Sequence, residues 1–154
     1  MKLAKKLITL YLSFGILSLL FLLFTAQARG VTCDGRAVTV GCTVNGVPNQ
    51  LCQGTMGNDH IIGTDSGNTI HGLDGDDVIE GLASKDRICG GNGNDTIYGG
   101  VANDRLFGEG GDDILDGQGG DDVLNGGLNT DTCDGGTHVN GDTAQQCESV
   151  SNVP

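Results

Sequence analysis

A single aliphatic residue recurs at every ninth position between residues 54 and 134, and small or polar residues fill most of each interval. The period continues without insertion or deletion through nine units, which we number from Gly54, with positions 1 to 9 in each unit. A strict short period of this kind predicts a solenoid of stacked units. The aliphatic residue falls at position 8 in every unit except the last, which has Cys133: Ile61, Ile70, Ile79, Ile88, Ile97, Leu106, Leu115 and Leu124.

Each unit is expected to form a six-residue turn followed by a three-residue strand. Side chains alternate between the two faces of a strand, so position 8 points one way and positions 7 and 9 point the other. Position 8 should face the core because it alone is uniformly apolar. Positions 7 and 9 should face water, because charged residues occupy several of them: Glu80, Arg87, Arg105 and Asp116.

Two units should make one circuit of the solenoid, and successive circuits should stack their strands in parallel. The predicted fold is therefore all-β, with a core made of one file of aliphatic side chains from each side. Such a core is thin, and the repeat block carries 17 carboxylates against three cations. Both features oppose folding of the bare chain.

Glycine and aspartate hold fixed positions in the predicted turns. Position 1 is Gly in all nine units, and position 6 is Asp in eight, with Asn68 as the exception. Glycine at positions 1, 2 and 4 permits positive φ and close backbone approach. The pattern G-G-x-G-x-D-x-aliphatic-x is that of the calcium-binding nonapeptide, whose carboxylate and carbonyl oxygens are ligands that Ca²⁺ prefers. We expect about four to seven calcium ions, bound only by the folded chain.

The first 28 residues have the features of a secretory signal peptide. Three lysines precede an apolar run over residues 7–24, and Ala26-Gln27-Ala28 fits the small-x-small cleavage rule. A retained membrane anchor is the alternative, because the run is long enough to span a bilayer. We expect cleavage after residue 28 and export to the periplasm or the extracellular space.

The chain beyond residue 28 carries 20 carboxylates and five cations, so its net charge is −15. Such a chain repels nucleic acid and anionic membranes, which excludes both as partners. Six cysteines in a short exported chain favour disulfides over thiol catalysis. Paired acids such as Asp76 and Asp77 are periodic turn residues, so we expect no enzyme.

The repeats, for instance GGNGNDTIY at residues 90–98, resemble the repeats-in-toxin (RTX, hemolysin-type) calcium-binding family. The resemblance implies a parallel β-roll, a right-handed calcium-binding β-solenoid of nine nonapeptide repeats. It also implies that each ion lies between turns of units n and n+2. The implied ligands are the position-6 aspartates with the carbonyls of Gly-rich turns: Asp59, Asp77, Asp86, Asp95, Asp104, Asp113, Asp122 and Asp131, with Gly57, Gly75, Gly93, Gly111 and Gly120.

The two edges of the predicted roll differ in their turns. Odd-numbered units keep Gly at position 4 in the first four cases, whereas even-numbered units have Ser66, Ser84 and Ala102 before Gly120. The even edge also has Asn68 at a ligand position and Lys85 within a turn. We therefore expect the stronger calcium sites along the odd edge.

Residues 29–53 are too few to hold the protease, lipase or pore-forming region of many family members. We therefore expect a small secreted protein made only of the roll, and the chain resembles such members of the family. We divide the chain into a signal peptide (1–28), an N-terminal cap with a disulfide loop (29–53), the repeats (54–134) and a C-terminal cap and tail (135–154).

Six cysteines allow 15 pairings. The layout favours three of them, Cys133–Cys147 as an end cap, Cys42–Cys52 within an apparent insertion, and Cys33–Cys89.

Two functions remain open from the sequence. The first is a non-enzymatic secreted protein, expected to be a monomer, whose folding is coupled to binding of several calcium ions. The second is an adhesive or extracellular-matrix module that uses the calcium-folded roll as a scaffold for a protein or carbohydrate partner. A continuous apolar or aromatic ladder on one outer face would favour the second.

Overall fold

The computed structural model describes residues 32–137 and 140–153 of the chain, so the predicted signal peptide lies outside the described residues. Regular structure within these ranges is entirely β, and they contain no helix long and apolar enough to cross a membrane. The strands are β1 (Thr32–Cys33), β2 (Arg36–Ala37), β3 (Val40–Val44), β4 (Val47–Leu51), β5 (His60–Thr64), β6 (Thr69–Asp74), β7 (Val78–Leu82), β8 (Arg87–Asn92), β9 (Thr96–Val101), β10 (Arg105–Gly110), β11 (Ile114–Gly119), β12 (Val123–Leu128), β13 (Thr132–Asp134), β14 (Thr143–Gln145) and β15 (Ser149–Ser151).

The repeat units form a parallel β-solenoid of about five turns. Strands of odd-numbered units lie in one sheet, ordered β15-β13-β11-β9-β7-β5-β3-β4, which we call the odd sheet. Strands of even-numbered units lie in the even sheet, ordered β14-β12-β10-β8-β6. Neighbouring repeat strands pair in parallel at a spacing of two units, as Leu106 with Leu124 shows. The all-β solenoid predicted from the nine-residue period is confirmed.

The strands are longer than the three residues predicted. Those of the inner circuits run over six residues, from position 7 to position 3 of the next unit, as in β9. Gly100 and Val101 pair in register with Gln118 and Gly119, so the ladder continues past position 9. Parallel stacking supplies a neighbour for these backbone groups, which the sequence of one unit cannot show.

The core is the predicted file of position-8 side chains. All eight aliphatic members are fully buried, from Ile61 to Leu124. Buried cysteines close the file at both ends, with Cys42 and Cys52 before Ile61 and Cys133 after the last leucines. The inward direction of position 8 is thereby confirmed.

The N-terminal residues cover the first edge of the solenoid. Strands β3 and β4 form an antiparallel hairpin, and β3 also pairs antiparallel with β5 through Thr43 opposite Ile62. On the even sheet, Gln53 forms a parallel bridge with His71. The first repeat strand of each sheet therefore has a neighbour at this end, and β4 becomes the outermost strand of the odd sheet.

Strands β1 and β2 pair with each other and are anchored to the even sheet by a disulfide between Cys33 and Cys89. The prediction that position 7 faces water is wrong for Arg87, which this segment covers and which is only 8% exposed. Its guanidinium pairs with Asp34 and lies 6.0 Å from the ring centroid of Phe107. Burial of a position-7 side chain required a covering segment from outside the repeats.

The coil continues past residue 134. Strand β14 pairs with β12, Ala144 lying opposite Leu124, and β15 pairs with β13, Val150 lying opposite Cys133. Disulfides join Cys133 to Cys147 and Cys42 to Cys52. Together with the bond at Cys33, these are the three pairs that the sequence favoured.

Candidate calcium-binding turns

The position-6 side chains stack into two buried ladders, one along each edge of the solenoid. In each ladder the Oδ1 atom of one aspartate accepts a hydrogen bond from the backbone N–H of position 6 two units earlier. On the odd edge, Asp95 Oδ1 lies 2.8 Å from Asp77 N, and Asp113 Oδ1 lies 2.8 Å from Asp95 N. On the even edge, Asp104 Oδ1 lies 2.7 Å from Asp86 N. The structure therefore brings the predicted aspartates together in continuous rows.

The second carboxylate oxygen has a different environment. In seven aspartates Oδ2 is buried and has no hydrogen-bond partner within the described ranges: Asp77, Asp86, Asp95, Asp104, Asp113, Asp122 and Asp131. A buried acceptor without a partner is costly, and a charged one more so. The described geometry thus leaves one unmet oxygen in each of these turns.

Carbonyl oxygens lie close to the same place. A Cβ built on Gly72 would lie 2.2 Å from Asp77 Oδ2 and 2.4 Å from the carbonyl oxygen of Gly90. A Cβ on Gly108 would likewise meet Asp113 Oδ2 at 2.2 Å and the Gly126 carbonyl at 2.4 Å. Position 1 is therefore Gly because a carboxylate and a carbonyl converge beside its Cα, and not because of positive φ.

Burial raises the pKa of these carboxyl groups. The pKa rises to about 7 for Asp86, Asp95 and Asp104, with desolvation as the largest cause and the backbone hydrogen bond opposing it. For Asp77 and Asp122 it rises to about 6 by the same cause. A buried carboxylate of this kind is stabilised by binding either a proton or a cation.

The donor set fits calcium. Carboxylate and backbone carbonyl oxygens in flexible, glycine-rich turns are what Ca²⁺ prefers. No group of three or more His, Cys, Asp and Glu side chains gathers at one point within residues 32–137 and 140–153. An ion would therefore be held by ladder carboxylates together with turn carbonyls.

Both edges share one turn conformation from the third unit onward. Position 4 has positive φ in Gly75, Gly93, Gly111 and Gly120, at 114°, 127°, 138° and 148°. The even-edge residues Ser84 and Ala102 adopt the same region at 67° and 85°, where residues other than glycine are strained. Gly57 in the first unit does not have positive φ, so the first turn differs from the others.

In the first two turns, protein hydrogen bonds satisfy the position-6 side chains. Asp59 Oδ2 accepts hydrogen bonds from Thr55 N at 2.5 Å and Thr55 Oγ1 at 3.0 Å, and Asp59 Oδ1 accepts one from Asn45 Nδ2 at 2.5 Å. Asn68 Oδ1 accepts a bond from Thr64 N at 2.7 Å. These turns have protein donors where the later ones have an unmet oxygen.

Two members of the ladders were missed by the sequence analysis. Asp142 Oδ1 lies 2.6 Å from Asp122 N, and Glu148 Oε2 lies 2.5 Å from Asp131 N. Each precedes a short strand as a position-6 residue does. The sequences D-T-A-Q and E-S-V-S have the acid-then-strand pattern of a repeat unit. They fall outside the regular period, because Asp142 and Glu148 lie 20 and 17 residues after their ladder partners and not 18.

Aspartate and asparagine side chains at position 5 form a second, outer ladder. Asp76 Oδ1 accepts a hydrogen bond from Asn94 N at 2.9 Å, and Asn94 Oδ1 accepts one from Asp112 N at 2.9 Å. The adjacent acids Asp76 and Asp77 thus bond to backbone groups on opposite sides of their own turn: Asp76 accepts from Asn94 N in the next circuit, and Asp77 accepts from Asp59 N in the preceding one. This arrangement agrees with their prediction as turn residues.

A glycine-rich solenoid with buried aspartate ladders along its edges defines a class of calcium-binding repeat proteins. The family model for the RTX calcium-binding nonapeptide repeat, which contains four copies, matches the chain at residues 53–88, 62–97, 81–115, 90–123 and 107–137. These matches span more than half of the chain, which therefore belongs to this family of structural calcium-binding repeats. Neither a curated protein nor a solved structure shows significant similarity to the chain.

The raised pKa values predict how the calcium-free protein responds to pH. The folded state holds protons on its ladder aspartates up to a pH of about 6 to 7, whereas the unfolded groups lose theirs near 3.8. Stability of the calcium-free fold should therefore fall as pH rises from about 4 to about 7. Circular dichroism of protein stripped of calcium should show more β structure at pH 5 than at pH 8. More β structure at pH 8 would contradict the assignment of these groups.

Proposed function

We propose that this is a secreted, non-enzymatic protein whose folding is coupled to calcium ions held between stacked turns. The observation that carries the proposal is the row of buried Oδ2 atoms without partners. Each ion would supply the missing partner and offset the negative charge of the ladder. The aspartates from Asp77 to Asp131 would be the ligands. Asp59, whose oxygens already accept protein hydrogen bonds, would contribute least.

Secretion is supported by two features of the chain. Three disulfides join all six cysteines, and such bonds persist in oxidising compartments outside the cytoplasm. Residues 1–28 carry the predicted signal peptide. Extracellular calcium would then fold the chain after export.

The outer face of the odd sheet favours this function over adhesion. Exposed Val78 and Ile114 at position 7 are separated by Thr96. At position 9, Tyr98 lies between Glu80 and Asp116. The described part of this face thus alternates apolar and polar groups, and a continuous adhesive ladder is not formed there.

Matched substitutions on the two edges test the ligand assignment. Asp95 and Asp104 are each 1% exposed and lie inside their ladders, with pKa values raised to about 7. Replacement by asparagine keeps the Oδ1 acceptor and removes the charge. Asp95→Asn should weaken calcium binding about tenfold or more, the value of a charge-assisted contact. Asp104→Asn should weaken it less, because Ser84 and Ala102 strain the even turns.

The measurement is the number and affinity of bound ions, by equilibrium dialysis with calcium analysis and by calorimetric titration. Asp34→Asn serves as a control, since Asp34 lies outside the ladders and pairs with Arg87. Ligation by the ladders is wrong if neither ladder variant loses affinity. If both variants lose calcium affinity equally, the ladders still bind calcium, but the predicted difference between the two edges is wrong.

A further inference from the structure

The cations of the described chain are concentrated at one place. The lysines and arginines of residues 32–137 and 140–153 are four, and all four line a single pocket of about 370 Å³: Arg36, Lys85, Arg87 and Arg105. Asn68, Thr69 and Asp86 also line it. We call this the cationic pocket. Grouping like charges in this way is electrostatically unfavourable, because they repel one another.

Two of these arginines are held side by side by the register of the even sheet. Arg87 in β8 and Arg105 in β10 occupy position 7 and lie directly opposite each other. Like charges directly opposite on neighbouring strands are destabilising. The other position-7 residues of this sheet are uncharged, Thr69, Val123 and Thr143, so the fold itself does not require charge here.

The carboxylates at the pocket do not neutralise it. Asp34 pairs with Arg87, and Asp86 bonds through Oδ1 to Asn68 N at 2.6 Å as part of the even ladder. Lys85 also lies within electrostatic reach of Asp104. Four cations against these three carboxylates leave an excess of one positive charge. This is a local reversal of sign on a strongly acidic protein.

Arg87 is an immobilised donor in this pocket. Its side chain is 9% exposed, and its Nε is buried without a hydrogen-bond partner in the described part of the chain. Asp34 and the ring of Phe107 hold its guanidinium from outside. A buried guanidinium N–H without an acceptor is costly, so an acceptor from a ligand would relieve it.

The Cys33–Cys89 disulfide positions the fourth cation. Arg36 pairs with Cys33 across the β1–β2 ribbon. Cys89 lies two residues after Arg87, on the same outward face of β8. The bond between the cysteines therefore fixes Arg36 beside a sheet with which its own ribbon shares no strand ladder.

We propose that the cationic pocket binds a sulfate or phosphate group, either free or as an ester on a polysaccharide. Guanidinium groups match the oxygens of tetrahedral anions with paired hydrogen bonds, and Lys85 would add a point charge. The volume admits one such group with part of an attached sugar. The proposal does not rest on the calcium function, although Asn68, Lys85 and Asp86 of the even-edge turns line the pocket.

Inorganic sulfate is the first probe, because it stays soluble with millimolar calcium. Calorimetric titration of the purified, calcium-loaded protein should show saturable binding at one site. Arg36→Gln and Arg105→Gln should each weaken it about tenfold or more. Ile114→Glu is the matched control, since it makes the same change in net charge at an exposed position 7 of the odd sheet, and it should leave sulfate affinity unchanged.

A second arm uses a sulfated oligosaccharide and its desulfated form. Tighter binding of the sulfated form than of free sulfate, lost in both arginine variants, would identify the group as an ester. Equal binding per sulfate would identify the free anion. Absence of binding by both probes, or equal binding by wild type and both variants, would overturn the proposal. Circular dichroism of each variant in the presence of calcium verifies that it is folded. If Arg105→Gln unfolds, Arg36→Gln still tests the proposal, because Arg36 lies outside the repeats.

Discussion

Removal of calcium should abolish most of the β structure of this protein. The core is one file of aliphatic side chains on each side, and the buried ladders place unpaired carboxylate oxygens along both edges. At a calcium concentration 100 times the dissociation constant, each independent site contributes about 2.7 kcal/mol. Four such sites give about 11 kcal/mol, which is comparable with the whole stability of a typical domain, about 5–15 kcal/mol. Calcium binding of this size would be sufficient to decide whether the chain folds.

The measurement is far-ultraviolet circular dichroism with thermal melting, before and after treatment with a chelator at low ionic strength. Restored calcium should restore the spectrum, and its melting temperature should rise with calcium concentration. Magnesium should not substitute, because it demands near-ideal octahedral geometry and dehydrates reluctantly. The three disulfides restrict the unfolded chain, so residual structure at the two ends is expected. An unchanged spectrum and melting temperature after chelation would refute coupled folding.

Replacement of Gly108 by alanine should destabilise the protein far more than the same replacement two residues later. A Cβ on Gly108 would lie 2.2 Å from Asp113 Oδ2 and 2.4 Å from the Gly126 carbonyl oxygen. The carbonyl belongs to β12, which pairs on both sides, so relief of that contact requires the strand to shift. Relief of the other contact requires the carboxylate to leave its ladder. Overpacking of this kind costs about 1–3 kcal/mol, and displacement of a ligand adds to that cost in calcium.

Gly110→Ala is the matched control in the same turn. A Cβ there has its nearest neighbour at 3.4 Å, Asn92 Oδ1, and Gly110 does not have positive φ. Both substitutions restrict the unfolded chain equally, so their difference reports contacts in the folded state. Urea unfolding in saturating calcium should place the Gly108→Ala midpoint well below wild type and the Gly110→Ala midpoint near it. Similar midpoints for the two variants would contradict the crowding at position 1.

The two ends of the repeat block differ in what completes the turns. At the N-terminal end, Thr55, Thr64 and Asn45 donate hydrogen bonds to the position-6 side chains. Further along, the corresponding aspartates keep an oxygen without a protein partner. At the N-terminal end, protein hydrogen-bond donors thus occupy the place that we assign to calcium in the later turns. We propose that these donors form a cap that is independent of metal.

The extent of each strand shows one limit of sequence reasoning. A three-residue strand follows from the alternation of one unit, and position 8 correctly marks its inward residue. The further pairing of Gly100 with Gln118 depends on two turns having the same conformation when they stack. That conformation includes positive φ at Ala102, a residue whose own preference opposes it.

Arg87 shows a second limit. Its position in the repeat predicts exposure, and the residues that bury it lie more than 50 positions earlier in the chain. Asp142 shows a third, since a turn two residues longer than the others still returns its carboxylate to the ladder. In both cases the decisive contact comes from residues that the nine-residue period does not include.

The sequence by itself determined the solenoid, its inward file and its family, because a strict period repeats the same local chemistry in every unit. Periodic glycine and aspartate likewise identified the turns expected to hold calcium. Only the tertiary structure decided which carboxylate oxygens have protein partners, how far the ladders extend beyond residue 134, and that cations from β2, one turn, β8 and β10 share one pocket. These features depend on contacts between stacked circuits and on contacts with the N-terminal segment. Such contacts join residues far apart in the chain, so the sequence of one repeat does not specify them.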